Sequence, residues 1–238
     1  MTEKEIQKIL DDSKLIWWLD SGSLLGLVRD GKFLKQDHDI DIGIIYENEE
    51  IICKLITTLS SLGFRVVKFN YDGNLYKCKC VPESESVFNY ILDIQFYKRC
   101  DKEWICPQMV FKNNLTLANR IRRFIIRLKK SNMADFDGNS MSTRIKRFIS
   151  SFFIKGNLTL NYSDSQKNLF YYYYWAIPTH YTNELIELGG YKVFKDTDSY
   201  LTHRYGDWRT PVKKWVFTRD DHALVKSSFD ELCSYYNT

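Results

Sequence analysis

Asp39 and Asp41, in the run Asp37-His38-Asp39-Ile40-Asp41-Ile42, are the residues from which chemistry can first be argued. The alternation predicts a strand continuing into Gly43-Ile44-Ile45, with both carboxylates on one face and Ile40 and Ile42 turned into a core. Two adjacent carboxylates repel, and a hard cation such as Mg²⁺ or Mn²⁺, which also binds substrate phosphates, is the usual compensation. Upstream, Asp20-Ser21-Gly22-Ser23 predicts a tight turn between a short apolar strand, Ile16–Leu19, and a helix, Ser23–Arg29, closed by Asp30-Gly31. Gly22 allows close backbone approach to a ligand and Ser23 is placed to cap the helix. Free N–H groups at the positive end of a helix dipole bind phosphate.

Either feature alone has a plainer explanation, an acidic edge strand in solvent or a helix that happens to start at Gly-Ser. Their closeness is what suggests a site. Asp37 and His38 stay in reserve: a regular strand turns His38 away from Asp39, so it is given no metal. A third carboxylate, Asp93, interrupts the apolar strand Tyr90–Tyr97, where it is costly unless it serves a site or is paired by Lys98 or Arg99.

The elements that must position these groups follow the same periodicities. Glu3–Lys14 has Ile6, Ile9 and Leu10 on one helical face; Glu47–Leu62 is helical in pattern and stops at Gly63; Phe64–Phe69 and Leu75–Val81 form a hairpin around Asp72-Gly73. The chain of 238 residues is 44% apolar and 16% aromatic, enough for a packed α/β core. It has no apolar run long enough to span a membrane and a charged N-terminus, so the expected location is cytoplasmic. Without an export signal the six cysteines are expected reduced. Cys78, Cys80, Cys100 and Cys106 are conceivable zinc ligands, but Cys78-Lys79-Cys80 fits a strand with both thiols on a buried face.

Residues 119–156 differ in character. Ten Lys or Arg against two Asp give a local net charge of +8, while the whole chain is +4. Ile121–Leu128 and Ile145–Phe153 have the pattern of basic amphipathic helices, suited either to an anionic membrane surface or to packing on the core with solvated charges. No recognised nucleic-acid module accompanies the charge, so no nucleic-acid partner is expected. The aromatic run Phe170–Trp175 is either a cage for a quaternary ammonium group or a core and interface strand. Asp221–Tyr236 is expected to be a capping helix.

The order strand, Gly-Ser turn, helix, acidic strand resembles the nucleotidyltransferase core. The longer stretch GSLLGLVRDGKFLKQDHDIDIGI is similar to the signature of the LicD, fukutin and fukutin-related protein family, departing from it at Gln36, where Trp is common, and at His38. Tyr200-Leu201 through Tyr205-Gly206-Asp207-Trp208 to Pro211 resembles a second, C-terminal motif of that family. The resemblance implies a metal held by Asp39, Asp41 and a third carboxylate at Asp93, with Gly22, Ser23 and Arg29 holding donor phosphate. It implies one LicD-like catalytic domain over 1–238: a mixed-sheet α/β (α+β) core at about 1–118 and 157–238, with a basic helical insertion at about 119–156. The implied reaction moves a phospho-substituent, phosphocholine or phospho-alditol such as ribitol or glycerol phosphate, from a CDP-linked donor to a sugar hydroxyl of a cell-surface glycan, itself conceivably lipid-linked. The alternatives are a nucleotidyltransferase acting on a small molecule and a non-catalytic peripheral membrane protein.

Overall fold

The computed structural model describes residues 1–34, 37–113, 115–130, 156–163, 166 and 168–236. Thr2 and Glu5 form a reciprocal capping box, with the Glu5 amide donating to Thr2 Oγ1 at 3.3 Å and the Thr2 amide donating to Glu5 Oε2 at 2.7 Å. It starts helix α1 (Glu3–Asp12), which buries Ile6 and Leu10 one turn apart. Strand β1 (Trp17–Leu19) follows, its three residues all buried, and pairs antiparallel with β2 (Asp39–Ile45), Leu19 opposite Ile42. Helix α2 (Ser21–Asp30) fills the connection between them.

Between β2 and its parallel neighbour β5 (Ile91–Cys100) lie helix α3 (Glu49–Ser61) and the hairpin β3 (Phe64–Tyr71) and β4 (Asn74–Pro82). The register sets Asp41 beside Asp93, and β4, antiparallel on the other side of β5, sets Lys79 beside Asp93. Three strands thus align Asp41, Asp93 and Lys79 in one row. Beneath it, Ile40, Ile42, Ile44, Leu92 and Ile94 are at most 1% exposed, each such side chain contributing about 1.5–3 kcal/mol on burial.

Among the described residues the main sheet has nine strands. The far end of β5 pairs with β6 (Glu103–Phe111), β6 with β8 (Phe170–Pro178), and β8 with β11 (Leu224–Ser227); β7 (Leu158–Tyr162) adds to β3 at the other edge. A separate hairpin, β9 (Leu185–Leu188) and β10 (Tyr191–Phe194), leads to helix α5 (Thr197–Tyr205). Helix α4 (Leu117–Lys130) contains the expected Ile121–Leu128, whereas Ile145–Phe153 lies outside the described residues.

Three expectations are corrected. Helix α2 begins at Ser21, not Ser23, because Asp20 is its N-cap. The C-terminal segment is not one helix: Leu224–Ser227 extends the sheet along the edge of β8, leaving the helices α6 (Phe217–Asp220) and α7 (Phe229–Tyr236) on either side. Asp93 is paired from β4, while Lys98 donates to Asn74 Oδ1 and Arg99 to the Asp101 carbonyl.

Candidate active site

The turn before α2 is built around a fully buried aspartate. Asp20 Oδ1 accepts from the Ser21 amide at 2.7 Å, Oδ2 accepts from the Tyr97 hydroxyl at 2.8 Å, and the Asp20 amide donates to the Asp41 carbonyl at 2.9 Å. Ser21 follows with φ of 51°, in the left-handed region that a residue with a side chain seldom occupies. A Cβ on Gly22 would stand 2.9 Å from Asp37 Oδ2 and 3.9 Å from Asp41 Oδ2, so the bare α-carbon keeps open the space between helix start and carboxylates. Ser23, expected as cap and phosphate ligand, sits one turn in: its Oγ accepts from the Asp41 amide at 2.9 Å and lies 3.4 Å from the Asp39 carbonyl. Its side chain therefore fixes β2 against α2. Arg29 lines the cavity wall with its fork on Asp30, Nε to Oδ1 and Nη2 to Oδ2 both at 3.0 Å.

Carboxylate oxygens of Asp39, Asp41 and Asp93 lie within 4.8 Å of one another, the only such cluster of potential metal ligands among the described residues. Burial, then the charges of Asp93 and Asp39, push the Asp41 carboxyl well above the usual carboxylate range. Asp39 is raised by burial and by Asp93, and Asp37 by burial and by Asp39. Asp93 behaves oppositely: burial works to raise it, but Lys77 and Lys79 outweigh burial and hold it below the ordinary value. Lys77 Nζ is 2.8 Å from Asp93 Oδ1, and Lys79 Nζ is 3.2 Å from Asp93 Oδ2 and 3.8 Å from Asp39 Oδ2. The Asp93 charge in turn raises Lys79. These lysines face the site because Cys78 and Cys80, which alternate with them, are fully buried on the other side of β4, their sulfurs 3.9 Å apart.

Such a group fits a hard divalent cation. All three donors are oxygen, the ligand type that Mg²⁺ and Mn²⁺ prefer. The desolvation and mutual repulsion that push Asp41 and Asp39 up are what a cation would relieve.

Asp41, Asp93 and the turn open onto one cavity of about 410 Å³, lined by Ser21, Gly22, Arg29, Asp37, Asp41, Lys77 and Asp93 on one side. Its opposite wall comes from the C-terminal segment, with Trp175, Tyr205, Trp208, Trp215 and Phe217. Arg204, 1% exposed, joins the two sides: Nη1 donates to Asp20 Oδ1 at 3.0 Å and Nε to Asp221 Oδ2 at 3.0 Å. The Tyr200 hydroxyl also donates to Asp20 Oδ1, and Trp175 Nε1 donates to Asp221 Oδ2 at 2.9 Å. Burial, and then the charge of Asp20, push the Tyr97 and Tyr200 phenols well up, so both remain protonated donors.

Of the residues the sequence singles out, Asp41, Asp93, Gly22 and Arg29 line this cavity and Asp39 stands beside it in the carboxylate cluster, whereas Lys77, Lys79, Asp20, Ser21, Arg204 and Asp221 were missed. The signal for the lysines was present, since burying Cys78 and Cys80 requires their neighbours to face the other way.

The sequence profile of the family described as LicD/FKTN/FKRP, nucleotidyltransferase domain, matches residues 14–114. Two curated relatives share shorter stretches. Uncharacterized protein RP689 of Rickettsia prowazekii (strain Madrid E) is 31% identical over 78 residues, 33% of this chain and 29% of that protein. Uncharacterized protein RT0683 of Rickettsia typhi (strain ATCC VR-144 / Wilmington) is 33% identical over 63 residues, 26% of this chain and 20% of that protein. The chain therefore aligns with less than a third of the length of either relative. Among solved structures, that of ANT(2")-Ia in complex with adenylyl-2"-tobramycin aligns over 42% of this chain and 52% of its own, with 23% identity and a TM-score of 0.29.

Proposed function

Because residues 14–114 belong to the LicD/FKTN/FKRP nucleotidyltransferase domain family, we propose that the chain is a phosphotransferase: it moves a phospho-substituent, phosphocholine or a phospho-alditol, from a CDP-linked donor to a sugar hydroxyl of a cell-surface glycan. The observation that carries this is the clustering of Asp39, Asp41 and Asp93, two of which, Asp41 and Asp93, line one cavity with the start of α2. Asp39, Asp41 and Asp93 would hold Mg²⁺ or Mn²⁺, which when bound neutralises a diphosphate and polarises its phosphorus.

The chain's own groups do the rest. The Gly22 amide, at the positive end of α2, binds a phosphate oxygen, and the bare α-carbon of Gly22 admits it close to the backbone. Arg29 turns from Asp30 to the donor, since its exposed partner holds it only weakly. Asp93, kept anionic by Lys77 and Lys79, lends its charge to the carboxylate cluster. The aromatic wall from Trp175 to Phe217 excludes water from the transferred group.

Incubation of the protein with Mg²⁺, a panel of CDP-linked donors and glycan acceptors tests this. Release of CMP with labelled acceptor is the expected result. Release of pyrophosphate from a nucleoside triphosphate would instead identify a nucleotidyltransferase, and absence of turnover with every donor would count against the proposal.

A further inference from the structure

We infer that Arg204 is a positioning residue for the phosphate-binding turn, acting from outside the family-matched stretch through Asp20; the inference rests on the donor-binding role just proposed. Arg204 faces the cavity and looks at first like a phosphate ligand itself. Four of its five N–H donors, however, are already engaged. Nε and Nη2 each reach Asp221 Oδ2 at 3.0 Å, while Nη1 serves Asp20 Oδ1 at 3.0 Å and the Tyr200 hydroxyl oxygen at 3.1 Å. Its charge is shared between two buried carboxylates and its guanidinium carbon lies 4.2 Å from the centre of the Trp175 ring. A group so engaged orients its neighbours and has little left for a ligand.

What it orients is the start of α2. Asp20 is the helix cap, and the donors from Arg204, Tyr200 and Tyr97 fix both of its oxygens. Ser21, a residue of the cavity lining, is thereby held at φ 51°, and its buried Oγ has no hydrogen-bond partner among the described residues. A strained backbone persists where surrounding contacts over-determine it, and this one brings Ser21 and Gly22 to the cavity wall. The same arginine anchors the opposite wall, because Asp221 also receives Trp175 Nε1. One side chain therefore sets the separation between the turn and the aromatic wall.

The test uses two variants of the full chain. Arg204→Lys keeps the charge but cannot bridge two carboxylates. Tyr200→Phe keeps the ring and removes one donor to Asp20. Each is measured for thermal midpoint, Mn²⁺ affinity, affinity for CDP with Mg²⁺, donor KM and kcat, and the position of the Gly22 amide in ¹H–¹⁵N spectra without ligand. Expected in both are a shifted Gly22 amide, CDP affinity weakened and donor KM raised about tenfold, and Mn²⁺ affinity within about twofold of the parent, since the triad stands on other strands. A lower midpoint with unchanged CDP affinity and an unmoved Gly22 amide would overturn the inference, as would an equal loss of Mn²⁺ affinity. If Arg204→Lys does not fold, Tyr200→Phe decides alone. Should the parent protein fail to bind CDP, the CDP-linked donor falls, and inorganic pyrophosphate replaces CDP as the probe: weakened binding in the variants supports the positioning role, and unchanged binding overturns it. A parent that binds neither probe overturns both proposals.

Discussion

At Asp41 a half-buried carboxyl stands beside two others, and the lysines that could relieve it reach Asp39 and Asp93 instead. Replacing Asp39 or Asp41 by Asn removes repulsion as well as a ligand. Each variant is expected to keep or raise the thermal midpoint while losing transfer and at least tenfold in Mn²⁺ affinity; near-parental turnover in either would sink the metal assignment. EDTA should abolish activity and Mg²⁺ or Mn²⁺ restore it. Asp93→Asn is a different case, because it strands Lys77 and Lys79. Breaking a fully buried pair costs roughly 3–5 kcal/mol, and with these lysines 17% and 30% exposed a loss on the order of 2 kcal/mol is expected. Rate per folded molecule separates the two roles. If it is near normal in a protein that melts early, Asp93 is a structural partner of the lysines and not part of the chemistry. The triad was legible in the sequence because Asp in an apolar alternation is conspicuous. Asp20 was not, since an aspartate before Ser-Gly-Ser looks like an ordinary turn residue, and only long-range contacts from Tyr97, Tyr200 and Arg204 reveal that it is fully buried.

Strand pairing explains which elements were legible and which were not. From α1 to β5 each element has its own periodicity and a local stop, so the sequence expectations match the structure to within a few residues. Beyond β5 that local signal fades. In β6, Trp104 through Gln108 are buried without a break, so no alternation marks the strand. Segment Leu224–Ser227 is a strand because β8 offers it an edge, a fact about residues some fifty positions away. Phe170–Trp175 proves to be strand β8, with Phe170, Tyr172 and Trp175 buried and Tyr171 exposed, and Trp175 brought to the cavity. The pairing of β1 with β2 makes a sharper demand. Trp18 lies opposite Gly43, and a Cβ on Gly43 would stand 2.3 Å from its indole. Gly43→Ala is therefore expected to cost about 1–3 kcal/mol or more through overpacking, lowering the thermal midpoint by roughly 2–4 °C per kcal/mol in a chain of this size. Gly22→Ala makes the contrast: the atom in the way is the mobile end of Asp37, so the midpoint should hold and the donor KM should rise. Equal midpoints for Gly43→Ala and the parent would show that Trp18 can move aside and that this packing does not set the β1–β2 register.

Charge is unevenly spread over the whole molecule, and helix α4 is where the excess becomes visible. Leu117, Ile121, Phe124 and Ile125 are 75%, 54%, 45% and 40% exposed, at spacings that place them on one side of the helix. Arg120, Arg122 and Arg123 lie among them, and α4 holds no acidic residue. No described helix is long and apolar enough to cross a membrane, but a helix with an apolar stripe and basic flanks can lie on one. Each cation near an anionic surface contributes about 1 kcal/mol, screened within roughly 10 Å at 0.1 M salt, so a few together give reversible attachment. We propose that α4, with the basic residues that follow it, brings the enzyme to an anionic membrane surface where a lipid-linked glycan acceptor is within reach. Co-sedimentation is then expected with vesicles containing anionic phospholipid and not with neutral ones, with release as salt is raised. Replacing Arg122 and Arg123, together with Arg144 and Arg147 outside the described residues, by Glu should weaken the attachment without slowing transfer to a soluble acceptor, because among the described residues the cavity lining includes none from α4. Equal binding to neutral vesicles would assign the attachment to the apolar stripe alone. Binding to neither kind would mean that the stripe is covered by the chain itself and that the acceptor is met in solution.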